Sequence, residues 1–340
     1  MTQARIWING EEKAFDQDGQ DTILRAALRA GVGFPYECNS GGCGSCKFEL
    51  LEGEVDNLWP DAPGLTDRDR RKGRLLACQC RAKTDLRIQV RTGAEYHSPI
   101  QSKRMRAKFI SMHEVSHDIR EFRFSAEGPA TFLAGQYAML AIPGVSTPRA
   151  YSMSNISNDE GEWHFQIRRV AKGAATDKLF HHLHIGEEIE IDGPYGLAYL
   201  RTESPRDIVC VAGGSGLAPM VSIARSAARS GMLKTRQLHF FYGGRTVRDI
   251  CGETYLCDLP DSGKNIHFHP VVSLPDDESS ALWRGETGFV HELVRRVLGD
   301  SLPNCEFYFA GPPPMTQTLQ EMLMMSFHVP FEQIHFDRFF

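Results

Sequence analysis

The chain has 340 residues, with 38 Lys and Arg against 43 Asp and Glu and a net charge of −5. That length suggests two or three domains, and 41% hydrophobic with 24% charged residues is the composition of a soluble globular protein. The acidic balance argues against nucleic acid as the main partner. The longest apolar runs, such as Ile208–Ala212, are far shorter than the ~20 residues that span a bilayer. No membrane partner is expected, and the N-terminus lacks the basic and apolar stretches of a secretion signal, so the expected location is cytoplasmic.

In chain order, Ile6 and Ile8 alternate as a strand, and Asn9-Gly10 marks a hairpin turn. Asp21-Thr22 caps a helix with Ile23, Leu24, Ala27 and Leu28 on one face, ended by Gly31 and Gly33. A Gly/Cys-rich loop runs from Cys38 to Cys46. Phe48, Leu50 and Leu51 form a short strand, and Leu86, Ile88 and Val90 another. Tyr96–Ser102 contains Pro99 and reads as a linker. From Lys103 to Leu200, short runs such as Phe122-Arg123-Phe124 and Phe165-Gln166-Ile167 predict an antiparallel barrel or sandwich, with a helix over Ala175–Leu183. From about Arg206, strands at Ile208–Val211, His239–Tyr242, Pro270–Val272 and Glu306–Ala310 alternate with helices such as Pro219–Arg229. That alternation predicts a parallel sheet covered on both faces.

Nine cysteines, five of them between Cys38 and Cys80, suggest metal ligation rather than disulfides. Cys38-x4-Cys43-x2-Cys46, then 31 residues and Cys78, has the plant-type spacing of a [2Fe–2S] cluster. Gly41, Gly42 and Gly44 remove side chains that would collide with a cluster and let backbone N–H groups approach its sulfurs. Four cysteines also suit zinc, whose ligands more often come as two C-x2-C knuckles; here three share one loop. Cys80 is a second candidate for the fourth ligand, because residues two apart in a strand face the same way. The acidic run Glu49, Glu52, Glu54, Asp56, Asp61 and the basic run Arg68, Arg70, Arg71, Lys72, Arg74 read as a solvated surface or as a docking surface for an electron-transfer partner.

Downstream, Arg149-Ala150-Tyr151-Ser152 forms an R-x-Y-S element. Gln166-Ile167-Arg168 precedes Gly173-Ala174-Ala175-Thr176, a strand, turn and helix start. Gly213-Gly214-Ser215-Gly216-Leu217-Ala218-Pro219 follows an apolar strand and opens a helix, the context in which backbone N–H groups meet a dinucleotide. Tyr242-Gly243-Gly244-Arg245, Asp249 and Ala310-Gly311-Pro312-Pro313 follow at later strand ends.

With these motifs, and with Phe34–Gly44 and the ending His335-Phe336-Asp337-Arg338-Phe339-Phe340, the chain resembles over its whole length the ferredoxin–NAD(P)H reductase flavoproteins that serve bacterial multicomponent oxygenases, especially toluene and alkene monooxygenases. The resemblance implies a multidomain α+β and α/β protein. Its parts would be a β-grasp [2Fe-2S] ferredoxin over 1–95, an antiparallel six-stranded FAD-binding barrel over 103–202 and a Rossmann-like parallel NAD-binding domain over 203–340. It favours Cys78 as the fourth ligand, since Ala77-Cys78-Gln79 has the family's form.

By the same resemblance Arg149 pairs with the FAD pyrophosphate, Tyr151 packs on the isoalloxazine and Ser152 reaches flavin N5. The helix opened at Gly173–Thr176 meets the pyrophosphate. Asp249 accepts a ribose hydroxyl and favours NADH, against the pull of Arg245. Ala310 stands where the family usually has a cysteine close to nicotinamide C4. Phe339 or Phe340 would stack on the flavin, with core burial as the alternative. No protein nucleophile or acid–base group is implied, because FAD, the cluster and NADH carry the chemistry. The implied partner is a Rieske-type ferredoxin or a di-iron hydroxylase, and the protein would be a monomer. Two rivals are a reductase feeding a sugar-deoxygenating dehydratase, which shares the domain order, and a non-catalytic metal-binding module.

Overall fold

Strand pairing in the N-terminal part follows the apolar alternation of its segments. The computed structural model describes residues 3–10, 13–260, 262–275 and 283–339. Two compact units form: residues 1–103 with 193–197, and residues 104–192 with 198–339. In the first, β1 (Ala4–Ile8) buries Ala4, Ile6 and Ile8 and pairs antiparallel with β2 (Lys13–Gln17). Thr22 caps α1 (Ile23–Arg29), its hydroxyl accepting the Arg25 N–H. There follow β3 (Lys47–Glu52), β4 (Val55–Asn57), α2 (Asp67–Arg71), β5 (Arg74–Leu76), β6 (Cys80–Ala82) and β7 (Leu86–Gln89). The sheet order is β2-β1-β7-β3-β5, with β1 and β7 parallel, the β-grasp arrangement. The segment read as a linker is held to α1: the Gln101 amide donates to the Arg29 carbonyl at 2.7 Å, and Arg29 donates to the Ser102 carbonyl at 3.1 Å.

The second unit opens with the barrel. Its strands are β8 (Lys103–Glu114), β9 (Ile119–Ala126), β10 (Tyr137–Ala141), β11 (Arg149–Ser152), β12 (Glu162–Arg168) and, after α3 (Ala174–Asp177), β13 (Glu188–Tyr195). They run in the order β11-β10-β13-β8-β9-β12, and a bridge between Met153 and Phe165 draws the two edge strands together. Phe122, Phe124, Trp163 and Phe165 fill the interior. The helix expected over Ala175–Leu183 is instead one α-turn followed by a wider π-turn over Lys178–His182, which carries Leu179 and Phe180 into the same core.

The remainder is an all-parallel sheet: β14 (Asp207–Gly213), α4 (Leu217–Arg229), β15 (Leu238–Gly244), α5 (Glu253–Cys257), β16 (Ile266–Val272), β17 (Glu286–Thr287), α6 (Val290–Leu298), β18 (Cys305–Gly311), α7 (Pro313–Glu321) and β19 (Ile334–Arg338). Its order is β17-β16-β15-β14-β18-β19. The central strands β14 and β18 are buried on both faces, one against α4 and the other against α6 and α7, which explains the continuous apolar runs Ile208–Ala212 and Phe307–Ala310 within them. Strand order reverses between β14 and β18, so a crevice forms at their carboxyl ends. Registers Gly213↔Gly243 and Ala212↔Ala310 bring the glycine-rich ends to that one edge. No helix among the described residues is long and apolar enough to cross a membrane.

Candidate functional site

The cysteine loop is tight because its own backbone donates to its sulfurs. Ser40 and Cys43 N–H groups point at Cys38 Sγ at 3.5 and 3.3 Å, and the Ser45 N–H points at Cys43 Sγ at 3.4 Å. Gly44 adopts φ +77°, and a Cβ there would stand 2.3 Å from the Gly64 carbonyl oxygen. The distant cysteine arrives through the sheet: Lys47 pairs with Leu76, and the Ala77 N–H donates to the Cys46 carbonyl at 2.9 Å. Cys78 therefore lies on a short turn beside Cys46, not in a strand with Cys80. Cys80 begins β6 opposite Asn57, and its thiol is pushed up to about 12, chiefly by burial.

The Cys38 and Cys43 thiols hydrogen-bond each other, as do those of Cys46 and Cys78. The hydrogen bond from Cys43 draws Cys38 down to about 5, against burial, while Cys43 and Cys46 are pushed far up by their thiol partners and by burial. Four cysteine sulfurs gathered at one place, one of them already inclined to ionise, are the soft thiolate donor set that an iron–sulfur cluster requires. The residues present fit that group.

In the barrel, Arg149 opens β11 with an exposed side chain that donates to the Thr147 carbonyl at 2.8 Å. Ala150 and Tyr151 are half-buried; burial raises the Tyr151 phenol to about 12, and the ring packs against the barrel core. Ser152 is buried opposite Tyr137. Both Gln166 and Ile167 of β12 are buried, Ile167 in the barrel core and Gln166 on the opposite face of the strand. Gln166 donates to Glu121 at 3.2 Å, but its buried Oε1 has no donor. A polar ligand bearing hydroxyl or imide N–H groups would satisfy that atom, as FAD can. Gly173 caps α3, and the Thr176 hydroxyl is spent inside the turn on Val170 and Gly173. A phosphate at this turn would therefore meet the free amides of Ala174, Ala175 and Thr176 rather than the Thr176 side chain.

At the carboxyl edge of the parallel sheet lies a cavity of about 460 Å³. Gly213, Gly214, Tyr242, Gly243, Arg245, Asp249 and Pro312 of the expected nucleotide set line it, and Arg168 of the expected flavin set joins them. Ser215 and Gly216 form the turn into α4, and Pro219 is buried in its first turn. Ala310 is fully sealed in the core beside Leu217 and Tyr242. A Cβ on Gly216 would lie 2.0 Å from the Ala310 carbonyl oxygen, so only glycine lets the turn sit against β18. Gly311 ends β18, and Pro313 opens α7. The Tyr242 hydroxyl donates to the Gly214 carbonyl at 3.2 Å and ties β15 to the turn.

Asp249 accepts the Arg245 and Thr246 N–H groups at 3.0 and 2.9 Å, so one carboxylate oxygen closes its own loop. The Arg245 side chain is 64% exposed. Arg168 is held by Asp118 at 2.6 Å. Phe339 donates its N–H to the Gly311 carbonyl at 3.0 Å and packs on the α4 face of the sheet; Phe340 lies outside the described residues. Sequence reasoning missed Asp118, Phe289, His291 and Met315, which also line the cavity. No local signal marks them, because strand order and loops bring them there. Apolar walls, a glycine floor and a few arginines and carboxylates suit a dinucleotide.

Three families match the chain: the 2Fe-2S iron-sulfur cluster binding domain at residues 6–83, the oxidoreductase FAD-binding domain at 106–199 and the oxidoreductase NAD-binding domain at 210–321. The chain is 43% identical over 323 residues to a ferredoxin–NAD(P)+ reductase of Metapseudomonas resinovorans, covering 94% of each. It is 38% identical over 330 residues to the ferredoxin–NAD+ reductase component of the alkene monooxygenase system of Xanthobacter autotrophicus, covering 96% of this chain and 98% of that one. Among solved structures, the ferredoxin reductase in carbazole 1,9a-dioxygenase superposes with a TM-score of 0.91 at 37% identity, covering 100% of this chain and 99% of that one. The reductase of a CDP-hexulose dehydrase from Yersinia pseudotuberculosis is a more distant relative, 35% identical over 84% of each chain.

Proposed function

The chain belongs to the ferredoxin–NAD(P)+ reductases that join a [2Fe–2S] domain, an FAD domain and an NAD domain, and on that premise we propose that it draws electrons from NADH and delivers them singly to a Rieske-type ferredoxin or di-iron hydroxylase of a multicomponent oxygenase. The observation that carries this reading is the presence, in one chain, of a four-cysteine cage and a glycine-floored cavity at the edge of a parallel sheet. When bound, NADH, FAD and the cluster supply the redox chemistry, two electrons entering as hydride and leaving one at a time.

The protein's part is to bind, orient and insulate. Cys38, Cys43, Cys46 and Cys78 hold the cluster, and the Ser40, Cys43 and Ser45 amides stabilise charge on its sulfurs. Arg149 pairs with the flavin pyrophosphate, Tyr151 covers the ring system and Ser152 contacts it from β11. Gln166 satisfies a flavin donor through its free Oε1. The Gly213–Gly216 turn and Arg168 take the dinucleotide phosphates, and Asp249 takes the adenosine ribose. Phe339, held beside Gly311, would cover the flavin ring. The protein works as a monomer in the cytoplasm.

Replacing Cys43 with Ser tests the electron order. The variant should lose reduction of cytochrome c and keep NADH-dependent ferricyanide reduction, which needs flavin alone. Loss of both in a folded, flavin-loaded variant would refute the order. Reconstitution with a purified Rieske ferredoxin and, separately, a di-iron hydroxylase identifies the direct acceptor.

A further inference from the structure

Helix α4 begins where the dinucleotide turn ends, and its second and third turns send two polar side chains into the barrel. Ser222 is fully buried, and its hydroxyl donates to the Asn155 carbonyl at 2.6 Å. Arg225 donates from Nη1 to the Ser154 carbonyl at 2.8 Å. Ser154 and Asn155 stand two and three residues beyond Ser152, the end of the flavin strand. Two side chains of one helix thus clamp consecutive carbonyls of the segment that leaves the flavin contact.

The surroundings of Arg225 are costly to build, which argues against an incidental contact. Its guanidinium lies over the Tyr255 ring of α5 at 5.1 Å. Burial pulls its pKa below the ordinary arginine value, and the charge of Glu121 opposes that shift. Glu121, on β9, is 1% exposed. Burial would raise its carboxyl, but hydrogen bonds from Arg123 and the charges of His164 and Arg123 hold it below the ordinary range. The same carboxylate accepts the Ser154 hydroxyl and the Gln166 amide, each at 3.2 Å. One buried network therefore joins β9, β12, the exit of β11, α4 and α5. Such networks are expensive to build and hold a single geometry where their members are paired; the acceptor this one leaves open, Gln166 Oε1, is the one assigned above to the flavin. At the other end of α4, Gly216 abuts the Ala310 carbonyl, so the turn cannot slide independently of β18.

We propose that Ser222 and Arg225 are positioning residues for hydride transfer, fixing the dinucleotide turn in register with the flavin strand through the Ser154 and Asn155 carbonyls. The inference rests on the reading above that the Gly213–Gly216 turn holds NADH and that Ser152 contacts the flavin. The step concerned moves one hydride, two electrons with a proton, from NADH to the flavin and leaves NAD+, so it needs no further reactant. A displacement of about 1 Å in such a step costs on the order of a hundredfold in rate.

The test is anaerobic stopped-flow mixing of NADH with the flavin-loaded protein and with its Ser222→Ala, Arg225→Met and Arg225→Lys variants. The expected result for Ser222→Ala and Arg225→Met is a limiting flavin-reduction rate lower by roughly ten- to a hundredfold, with the NADH dissociation constant changed by less than about threefold. The nicotinamide–flavin charge-transfer absorbance should weaken, the flavin midpoint potential should stay in place, and Arg225→Lys should recover part of the rate. If Arg225→Met loses its flavin, Ser222→Ala carries the same test, since it removes one hydroxyl and little volume. An unchanged limiting rate, or a loss confined to NADH affinity or accompanied by a shifted flavin potential, overturns the inference. Failure of NADH to reduce the flavin in the unaltered protein would instead overturn the electron path proposed above.

Discussion

Replacing Gly44 with Ala separates the strain of one backbone angle from the crowding around the cluster loop. Gly44 sits between Cys43 and Cys46 with φ +77°, and its Cβ would approach the Gly64 carbonyl oxygen to 2.3 Å. A left-handed backbone costs a non-glycine residue roughly 1–2 kcal/mol. Crowding against backbone atoms that cannot rotate away adds about 1–3 kcal/mol. Gly73 has a similar φ of +68° but open space around it, so Gly73→Ala carries the first cost without the second. The excess of Gly44→Ala over Gly73→Ala is thus about 1–3 kcal/mol, and it falls on the loop that bears three of the four sulfurs. The Gly64 N–H donates to the Gly41 carbonyl at 2.9 Å, so moving Gly64 also opens the bond that closes the loop. The assay measures iron–sulfur absorbance per flavin, the urea midpoint and the ratio of cytochrome c to ferricyanide reduction. Gly44→Ala should lose most of its cluster and its cytochrome c activity while ferricyanide reduction persists, and Gly73→Ala should keep all three. A full cluster complement in Gly44→Ala, with a midpoint equal to that of Gly73→Ala, would refute the reasoning.

Three further outcomes are expected. His239, His267 and His269 form a stacked group on β15 and β16, and burial followed by the charges of the neighbouring imidazoles lowers His269 to about 4. The unfolded chain protonates His269 in the ordinary range, so its contribution is complete above about pH 6.5 and is lost as pH falls toward about 4. The full displacement corresponds to about 3 kcal/mol, which partial solvent contact reduces to roughly 1–2 kcal/mol. Urea midpoints at pH 7 and pH 5 should therefore differ less in His269→Phe than in the parent, and an equal difference would sink the account. Gly216→Ala should cost about 1–3 kcal/mol of stability and abolish flavin reduction by NADH while dithionite still reduces the flavin; normal NADH kinetics would contradict the 2.0 Å approach to the Ala310 carbonyl. Asp249→Asn keeps an acceptor for the Arg245 and Thr246 N–H groups but removes the charge that would repel a 2′-phosphate. It should raise the NADPH-to-NADH ratio of kcat/KM by about ten- to a hundredfold, and an unchanged ratio would clear Asp249 of any part in cofactor choice.

What could be read locally was read from the sequence. The cysteine spacing, the R-x-Y-S strand, the glycine turn after an apolar strand and the switch from alternating to continuous apolar runs are consequences of short-range geometry. Each is set by backbone conformation or by which faces of a strand are covered, and through the family that these motifs resemble they implied three domains in order and the three cofactors. The Thr22 cap and the buried alternation of Ile6 and Ile8 follow the same logic.

Tertiary structure decided which distant groups meet. Cys78 stands beside Cys46 because Lys47 pairs with Leu76 and the Ala77 N–H reaches the Cys46 carbonyl, whereas periodicity alone could not separate Cys78 from Cys80. Arg168 lines the nucleotide cavity, and the Thr176 hydroxyl is consumed within its own turn. Asp118, Phe289, His291 and Met315 come to the cavity from separate loops and helices. The hold of Ser222 and Arg225 on the flavin segment spans 67 and 71 residues. Propensity and periodicity act over a few residues, but such meetings depend on strand order, register and close packing, which only the folded chain sets.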